Sequence, residues 1–140
     1  MKSAADIESY MLGLGLEFEA RGAGMWLVHD EGDSLDNVLV TYVDGLLIFH
    51  VRVAELPPGD HARLYRRLLE LNATDLIHGA YGIEGNAIVM TDTLQGENLD
   101  LNEFQAALEA MSVSLLQHYH ELKALLAVRG GAAGAGQEAR

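Results

Sequence analysis

Residues 38–53 carry the clearest local pattern in the chain. Two apolar runs, Val38–Val43 and residues 46–53, flank the dipeptide Asp44-Gly45. This dipeptide favours a two-residue type I′ turn, in which both central residues have positive φ. The turn places Val43 opposite Leu46, and cross-strand partners point to the same side of a sheet. One side of the hairpin is then uniformly apolar and is predicted to face the core: Val38, Val40, Tyr42, Leu47, Phe49, Val51 and Val53.

The opposite side of the same hairpin is also rich in apolar residues. It carries Leu39, Val43, Leu46 and Ile48, and only three of its seven positions are polar. A strand face that is open to water is normally polar, so we expect this side to be covered. The cover is either a helix of the same chain or a partner protein. A partner is a real alternative because large exposed apolar patches usually mark interaction sites.

Helical spacing of apolar residues predicts three helices. The first spans residues 3–19 and begins with a capping box between Ser3 and Asp6. The second begins after a Pro-Pro-Gly-Asp turn and ends near residue 73. The third, from about residue 102 to residue 126, has the most regular apolar stripe. The stripe of the second helix consists of Leu64, Leu68 and Leu71.

Short apolar runs predict the remaining strands. Residues 25–29 form one strand, and residues 81–83 and 87–93 form a second hairpin. The sequence therefore predicts an α+β fold, with an antiparallel sheet of about five strands and three helices in the order α-β-β-β-α-β-β-α. Residues 1–128 are expected to form a single domain, and the Gly- and Ala-rich residues 129–140 a disordered tail.

Composition narrows the range of partners. The 140 residues include nine Lys and Arg against 21 Asp and Glu, a formal charge of −12, which disfavours binding to nucleic-acid phosphates. The acidic loop at residues 30–37 lacks the ligand spacing of an EF-hand, so we expect a plain exposed loop rather than a cation site.

The sequence contains no cysteine. Disulfides, thiolate metal sites and cysteine nucleophiles are therefore excluded. The chain shows neither a signal-peptide pattern nor an apolar run of the roughly 20 residues that a bilayer requires. We expect a cytoplasmic protein that does not bind membranes.

Three arginines form the main basic feature. Arg63, Arg66 and Arg67 are spaced so that they share one face of the second helix. This face could bind an anion, although an ordinary solvated helix face balanced by Glu70 is the more common arrangement.

No residue pattern supports catalysis. The six histidines lack metal-ligand spacing, and His118 falls in the apolar stripe of the third helix, where a packed, hydrogen-bonded histidine is expected. The serines form no nucleophile elbow, and the glycines at residues 79–85 precede a hairpin rather than the helix that a dinucleotide site needs. We predict a protein without enzymatic activity, metal or cofactor.

The second half of the chain resembles a known family. The Leu-Leu-Glu-Leu-Asn sequence at residues 68–72 is followed by a glycine-flanked strand, an apolar strand and a long amphipathic helix. In this order the chain resembles the class I type III secretion chaperones (the Tir-chaperone, or CesT-like, group) and the related YbjN-like proteins.

This resemblance implies a function in binding other proteins. It implies a homodimer with Leu64, Leu68 and Leu71 of the second helix in the interface. It also implies a partner protein whose extended or disordered segment lies over the first helix and the sheet, with contacts at Leu39, Val43, Leu46 and Ile48. The alternative is a regulatory or small-ligand domain of the YbjN-like type that binds an anion through Arg63, Arg66 and Arg67.

Overall fold

The computed structural model describes residues 2–29 and 37–127. Within these ranges the chain forms three α-helices and six β-strands: α1 Ala4–Gly13, β1 Glu17–Ala20, β2 Met25–His29, β3 Val38–Val43, β4 Leu46–Glu55, α2 Ala62–Thr74, β5 Ala80–Glu84, β6 Ala87–Gln95 and α3 Leu101–Ala127. The predicted α+β fold with an antiparallel sheet is confirmed. The predicted tail at residues 129–140 and all but Asn37 of the acidic loop lie outside the described residues.

The first helix is shorter than the sequence pattern predicts. The capping box between Ser3 and Asp6 is present, but α1 ends at Gly13 instead of continuing to residue 19. Gly15 adopts a φ of +72°, a conformation that stops a right-handed helix and that glycine adopts without strain. Glu17–Ala20 then pairs with β2 as an additional edge strand, so the sheet has six described strands rather than about five.

The sheet is antiparallel throughout, with the strand order β1-β2-β3-β4-β6-β5. The predicted register of β3 and β4 is confirmed, since Val43 pairs with Leu46 and Val40 pairs with Phe49. Asp44 and Gly45 have φ values of +54° and +76°, as a type I′ turn requires.

One face of the sheet carries the core. Buried side chains from all three helices, such as Met11, Leu68 and Phe104, belong to a single cluster with the core-facing residues of the strands. The phenyl rings of Phe49 and Phe104 meet edge to face, with centroids 5.3 Å apart, a favourable geometry for aromatic pairs. The fold is therefore a two-layer arrangement with its buried helical side chains on one side of the sheet.

Candidate functional site

The sheet face opposite the core carries the apolar residues singled out in the sequence. Leu39 and Ile48 are partly buried, whereas Val43 and Leu46 remain 46% and 38% exposed. The described helices bury their side chains in the core on the other face. Within residues 2–29 and 37–127, this side of the hairpin is therefore not covered by a helix of its own chain.

The neighbouring strand extends this apolar surface. In the register of β2 and β3, Met25 pairs with Thr41 and Leu27 pairs with Leu39, and both β2 side chains are only partly buried. Apolar side chains thus cover three adjacent strands. We call this surface the open-face patch, and it consists of Met25, Leu27, Leu39, Val43, Leu46 and Ile48.

A histidine–carboxylate pair lies on each flank of the open-face patch. His29 Nε2 is 3.1 Å from Glu19 Oε2 on the β1 side, and His50 Nε2 is 3.0 Å from Glu84 Oε1 on the β5 side. The hydrogen bond with His29, followed by the charge of Arg21, lowers the pKa of Glu19 below its ordinary value. The patch is therefore apolar at its centre and has carboxylates at both margins.

The structure places the three leucines of α2 inside the chain. Leu64, Leu68 and Leu71 are buried in the core, because the apolar stripe of an amphipathic helix packs first against its own sheet. A second subunit approaching α2 would instead meet Tyr65 and Leu69, and the Leu69 side chain is 68% exposed.

Two of the three α2 arginines are already paired with carboxylates. Arg66 Nε lies 3.2 Å from Glu70 Oε2, and the Arg67 guanidinium forms ion pairs with both Glu70 and Glu121. The hydrogen bond with Glu121 is the largest cause that raises the pKa of Arg67. An anion at this face would have to compete with these carboxylates. Among the described residues, the exposed Arg63 is the one guanidinium group of the three without a carboxylate partner.

His118 is packed and hydrogen-bonded, as expected from its position in the α3 stripe. The Tyr81 hydroxyl donates to His118 Nδ1 at 2.8 Å, and His118 Nε2 donates to Asp75 Oδ2 at 3.2 Å. Burial raises the pKa of Tyr81 well above its ordinary value, so the phenol stays protonated. In the described ranges, no group of three or more His, Asp or Glu side chains is arranged to hold a metal ion.

Asn72 was missed as a functional candidate, although it stands in the Leu-Leu-Glu-Leu-Asn sequence. Its side-chain amide donates to the Tyr81 carbonyl at 3.1 Å, and its side-chain oxygen accepts the Tyr81 backbone N–H at 2.8 Å. A single amide therefore satisfies both backbone groups of one residue in β5. The only signal in the sequence was a polar residue directly after an apolar helical stripe.

A cleft of about 840 Å³ lies where the loop before α2 and the β5–β6 turn meet the end of α3, and Glu55, His61 and Tyr65 are among the residues that line it. His61 is buried, its Nε2 is bonded to the Pro57 carbonyl, and its Nδ1 has no partner among the described residues. Because the unpartnered nitrogen is inaccessible to solvent, the ring is not presented to a substrate.

A family comparison decides the classification. The model of the family CesT_Tir_1 matches residues 1–127. The chain belongs to this family. The predicted resemblance to the Tir-chaperone group is thereby confirmed. No curated protein is a detectable relative of this CesT/Tir-family chain by sequence.

Solved structures share the fold of this family member. A chain of the ExoU–SpcU heterodimer from the type III secretion system of Pseudomonas aeruginosa superposes with a TM-score of 0.66 at 14% identity, covering 86% of this chain and 98% of that one. YbjN from E. coli superposes with a TM-score of 0.65 at 15% sequence identity, covering 86% of this chain and 93% of that one. The structure of the Yersinia pestis type III secretion chaperone SycH with a fragment of YscM2 superposes with a TM-score of 0.58 at 18% sequence identity. The match covers 85% of this chain and 98% of that one.

These likenesses establish the fold and no more, since all three identities are low. This CesT/Tir-family chain has the fold of type III secretion chaperones and of YbjN. None of the helices in the described part of the chain is long and apolar enough to cross a membrane.

Proposed function

We propose that this CesT/Tir-family protein binds an extended segment of a partner protein on the open face of its sheet and catalyses no reaction. The observation that carries the proposal is the open-face patch, an apolar surface over three strands with Val43 and Leu46 exposed to solvent. A soluble domain rarely exposes such a surface unless it meets another molecule.

The fold neighbours support a role in holding proteins. SpcU was solved in a heterodimer with ExoU, and SycH with a fragment of YscM2. An extended segment suits a sheet because its backbone can pair with an edge strand while alternate side chains enter apolar pockets. The candidate contacts are Leu39, Val43, Leu46 and Ile48, which were selected from the hairpin register.

We also propose that the protein acts as a homodimer in the cytoplasm and that α2 contributes to the interface. The exposed Tyr65 and Leu69 lie on the side of α2 away from its buried leucines. In this arrangement Leu64, Leu68 and Leu71 position the helix, and its outer residues meet the second subunit.

Site-specific photo-crosslinking in the native organism tests the protein-binding proposal. A photo-reactive amino acid in place of Val43 should crosslink to a defined segment of one partner, and the same group in place of Ile77, which is 88% exposed outside the patch, should not. The double variant Val43→Asp, Leu46→Asp should lose the partner because carboxylates are costly in a desolvated apolar contact. If the double variant and Ile77→Asp retained the same amount of the partner protein, the proposal would be contradicted.

The alternative function is anion binding by a regulatory domain of the YbjN-like type. Among the described residues, Arg63 is exposed and has no carboxylate partner, while Arg66 and Arg67 are paired with carboxylates. A ligand that binds the native state raises thermal stability by mass action. An unchanged melting temperature across nucleotides and acidic metabolites would eliminate this alternative, and a rise that Arg63→Ala abolishes would favour it over protein binding.

A further inference from the structure

The outer side of α3 carries apolar side chains that the described part of the chain leaves uncovered. Val113, Leu116 and Tyr119 are 53%, 64% and 54% exposed, respectively. They follow one another at three-residue intervals, which places them along one side of the helix. We call these three residues the outer stripe. The buried stripe of α3, which includes Met111 and Leu115, packs in the core, so the helix has a second apolar side that its own fold does not use.

Opposite charges lie at equal distances on either side of Leu116. Glu109 precedes Leu116 by seven residues, and Lys123 follows it by seven. Seven residues make nearly two helical turns, so both charged side chains lie on the same side of α3 as Leu116. Both are exposed. The outer stripe therefore has an acidic end and a basic end, with Leu116 at its centre.

The charges of Glu109 and Lys123 are not neutralised within α3. The Gln105 amide donates a hydrogen bond to the Glu109 carboxylate at 2.9 Å, and the Lys123 ammonium lies 5.6 Å from the centroid of the Tyr119 ring. Neither of these contacts supplies an opposite charge. Each side chain can thus form an ion pair with a molecule that packs on the outer stripe.

A second copy of α3 is complementary to this arrangement. Two identical helices that pack antiparallel about a two-fold axis bring each residue before the axis beside the residue at the same distance after it. With the axis at Leu116, the two Leu116 side chains meet, and Glu109 of each copy lies beside Lys123 of the other. A parallel arrangement would place like charges together. The charge pattern therefore favours antiparallel packing of two copies.

The outer stripe points away from the contact between α3 and α2. The α3 residue that forms an ion pair with α2 is Glu121, which contacts Arg67. Glu121 lies five residues after Leu116, which turns it about 140° around the helix. A copy bound on the outer stripe would therefore not displace α2, and the exposed Leu69 of α2 belongs to a different surface.

The expected contact is small. One stripe on a single helix buries less than the roughly 800 Å² per partner that is typical of stable interfaces. Each molecule also carries a formal charge of −12, so two copies repel each other at long range. We therefore expect an association that becomes visible as the protein concentration rises.

We propose that the outer stripe of α3 is a second self-association surface, on which two copies of this chain pack antiparallel about Leu116. The contact is separate from the dimer contact proposed at α2. Two different two-fold contacts on one chain join dimers into tetramers. This inference goes beyond the proposed protein-binding function and does not depend on it.

A charge-swap cycle tests the antiparallel arrangement. Glu109→Lys sets lysine beside lysine, and Lys123→Glu sets glutamate beside glutamate, so each should weaken the association about 10-fold or more. The double variant restores opposite charges at both ends and should recover the association. It also keeps the formal charge of −12, so a change in net charge cannot explain the recovery. Glu109→Lys alone lowers the net negative charge and would strengthen an association that only general repulsion controls.

Sedimentation velocity over a concentration series measures these variants. All of them carry Leu69→Glu, so that the proposed α2 contact does not contribute. In this background Leu116→Glu should weaken the association about 100-fold or more, because two carboxylates would meet at the axis. Leu12→Glu is the matched control, since Leu12 is 66% exposed but lies on α1, and it should change nothing. Urea unfolding of each variant checks that the chain still folds.

The absence of cysteine from the chain allows a direct test of the geometry. Leu116→Cys introduces a single thiol, and a two-fold axis at this residue brings two such thiols together. We expect a disulfide-linked dimer under mild oxidation. Leu12→Cys places a thiol at a similarly exposed position on α1 and should form the disulfide at least about 10-fold more slowly.

Three results would overturn the inference. They are a Leu69→Glu protein that stays monomeric at every concentration, a charge-swap double variant that does not recover the association, and equal rates of disulfide formation from positions 116 and 12. If the first occurs while the native protein dimerises, the α2 contact stands and the α3 contact is wrong. If Leu116→Glu abolishes the native dimer and Leu69→Glu does not, the α3 contact stands and the α2 contact is wrong.

Discussion

At the scale of single residues, Tyr81 joins three elements of the fold. Its backbone is held by Asn72, and its hydroxyl bonds to His118, which in turn bonds to Asp75. Because Tyr81 and His118 are both buried, water cannot replace either partner. The free energy of unfolding should therefore respond more strongly to changes here than on the surface.

We predict that Tyr81→Phe destabilises the protein by about 1–3 kcal/mol, because His118 Nδ1 then lacks its donor in a buried position. Tyr119→Phe is the matched control, since Tyr119 is half exposed. This substitution should change the free energy of unfolding by no more than about 0.5 kcal/mol. Urea denaturation measures both variants. Equal urea midpoints for Tyr81→Phe and Tyr119→Phe would show that the Tyr81 hydroxyl does not stabilise the folded protein.

At the scale of elements, the β3–β4 hairpin is specified by its turn. Gly45 has a φ of +76° and Asp44 a φ of +54°, and this geometry sets which side chains share a face. A shift of one residue in pairing would move Phe49 out of the core and Ile48 into it. The turn therefore determines that Leu39, Val43, Leu46 and Ile48 of the open-face patch point away from the helices.

We predict that Gly45→Ala lowers the free energy of unfolding by about 1 kcal/mol or more, since alanine is strained at positive φ. Gly13→Ala is the control, because Gly13 is the last residue of α1 and a Cβ there would meet no atom within 4 Å. This control should be neutral or slightly stabilising. Thermal and urea unfolding measure both variants. Equal free energies of unfolding for Gly45→Ala and Gly13→Ala would contradict the prediction.

At the scale of the whole molecule, the two layers leave different surfaces for partners. The helical layer exposes Leu69 on α2, and the sheet layer exposes the open-face patch. These surfaces lie on opposite layers, so a dimer formed through α2 would leave the sheet face of each subunit available. Dimerisation and capture of a partner segment are therefore separable by mutation.

We predict a homodimer in solution that Leu69→Glu weakens by about 100-fold or more, because an unpaired charge buried at an interface costs about 3–5 kcal/mol. Leu12→Glu serves as the control, since Leu12 is similarly exposed but lies on α1. Light scattering over a concentration series measures the assembly. A native protein that remains monomeric at all concentrations would refute the dimer.

The sequence alone determined those features that depend on neighbouring residues. The Asp44-Gly45 turn specified the register of its hairpin, the capping box specified the start of α1, and the 3.6-residue period specified which side of α2 and α3 is apolar. Each of these follows from local backbone geometry or from the spacing of side chains along a single element.

The tertiary structure decided which surfaces meet. Periodicity marked Leu64, Leu68 and Leu71 as apolar, but only the packed fold showed that they serve their own core. That residues 17–20 form a strand depended on their pairing with β2, and the satisfaction of the Tyr81 backbone depended on Asn72 reaching a strand that follows it in the sequence. Such contacts are set by competition among all the apolar surfaces of the chain for burial, and no local pattern contains that information.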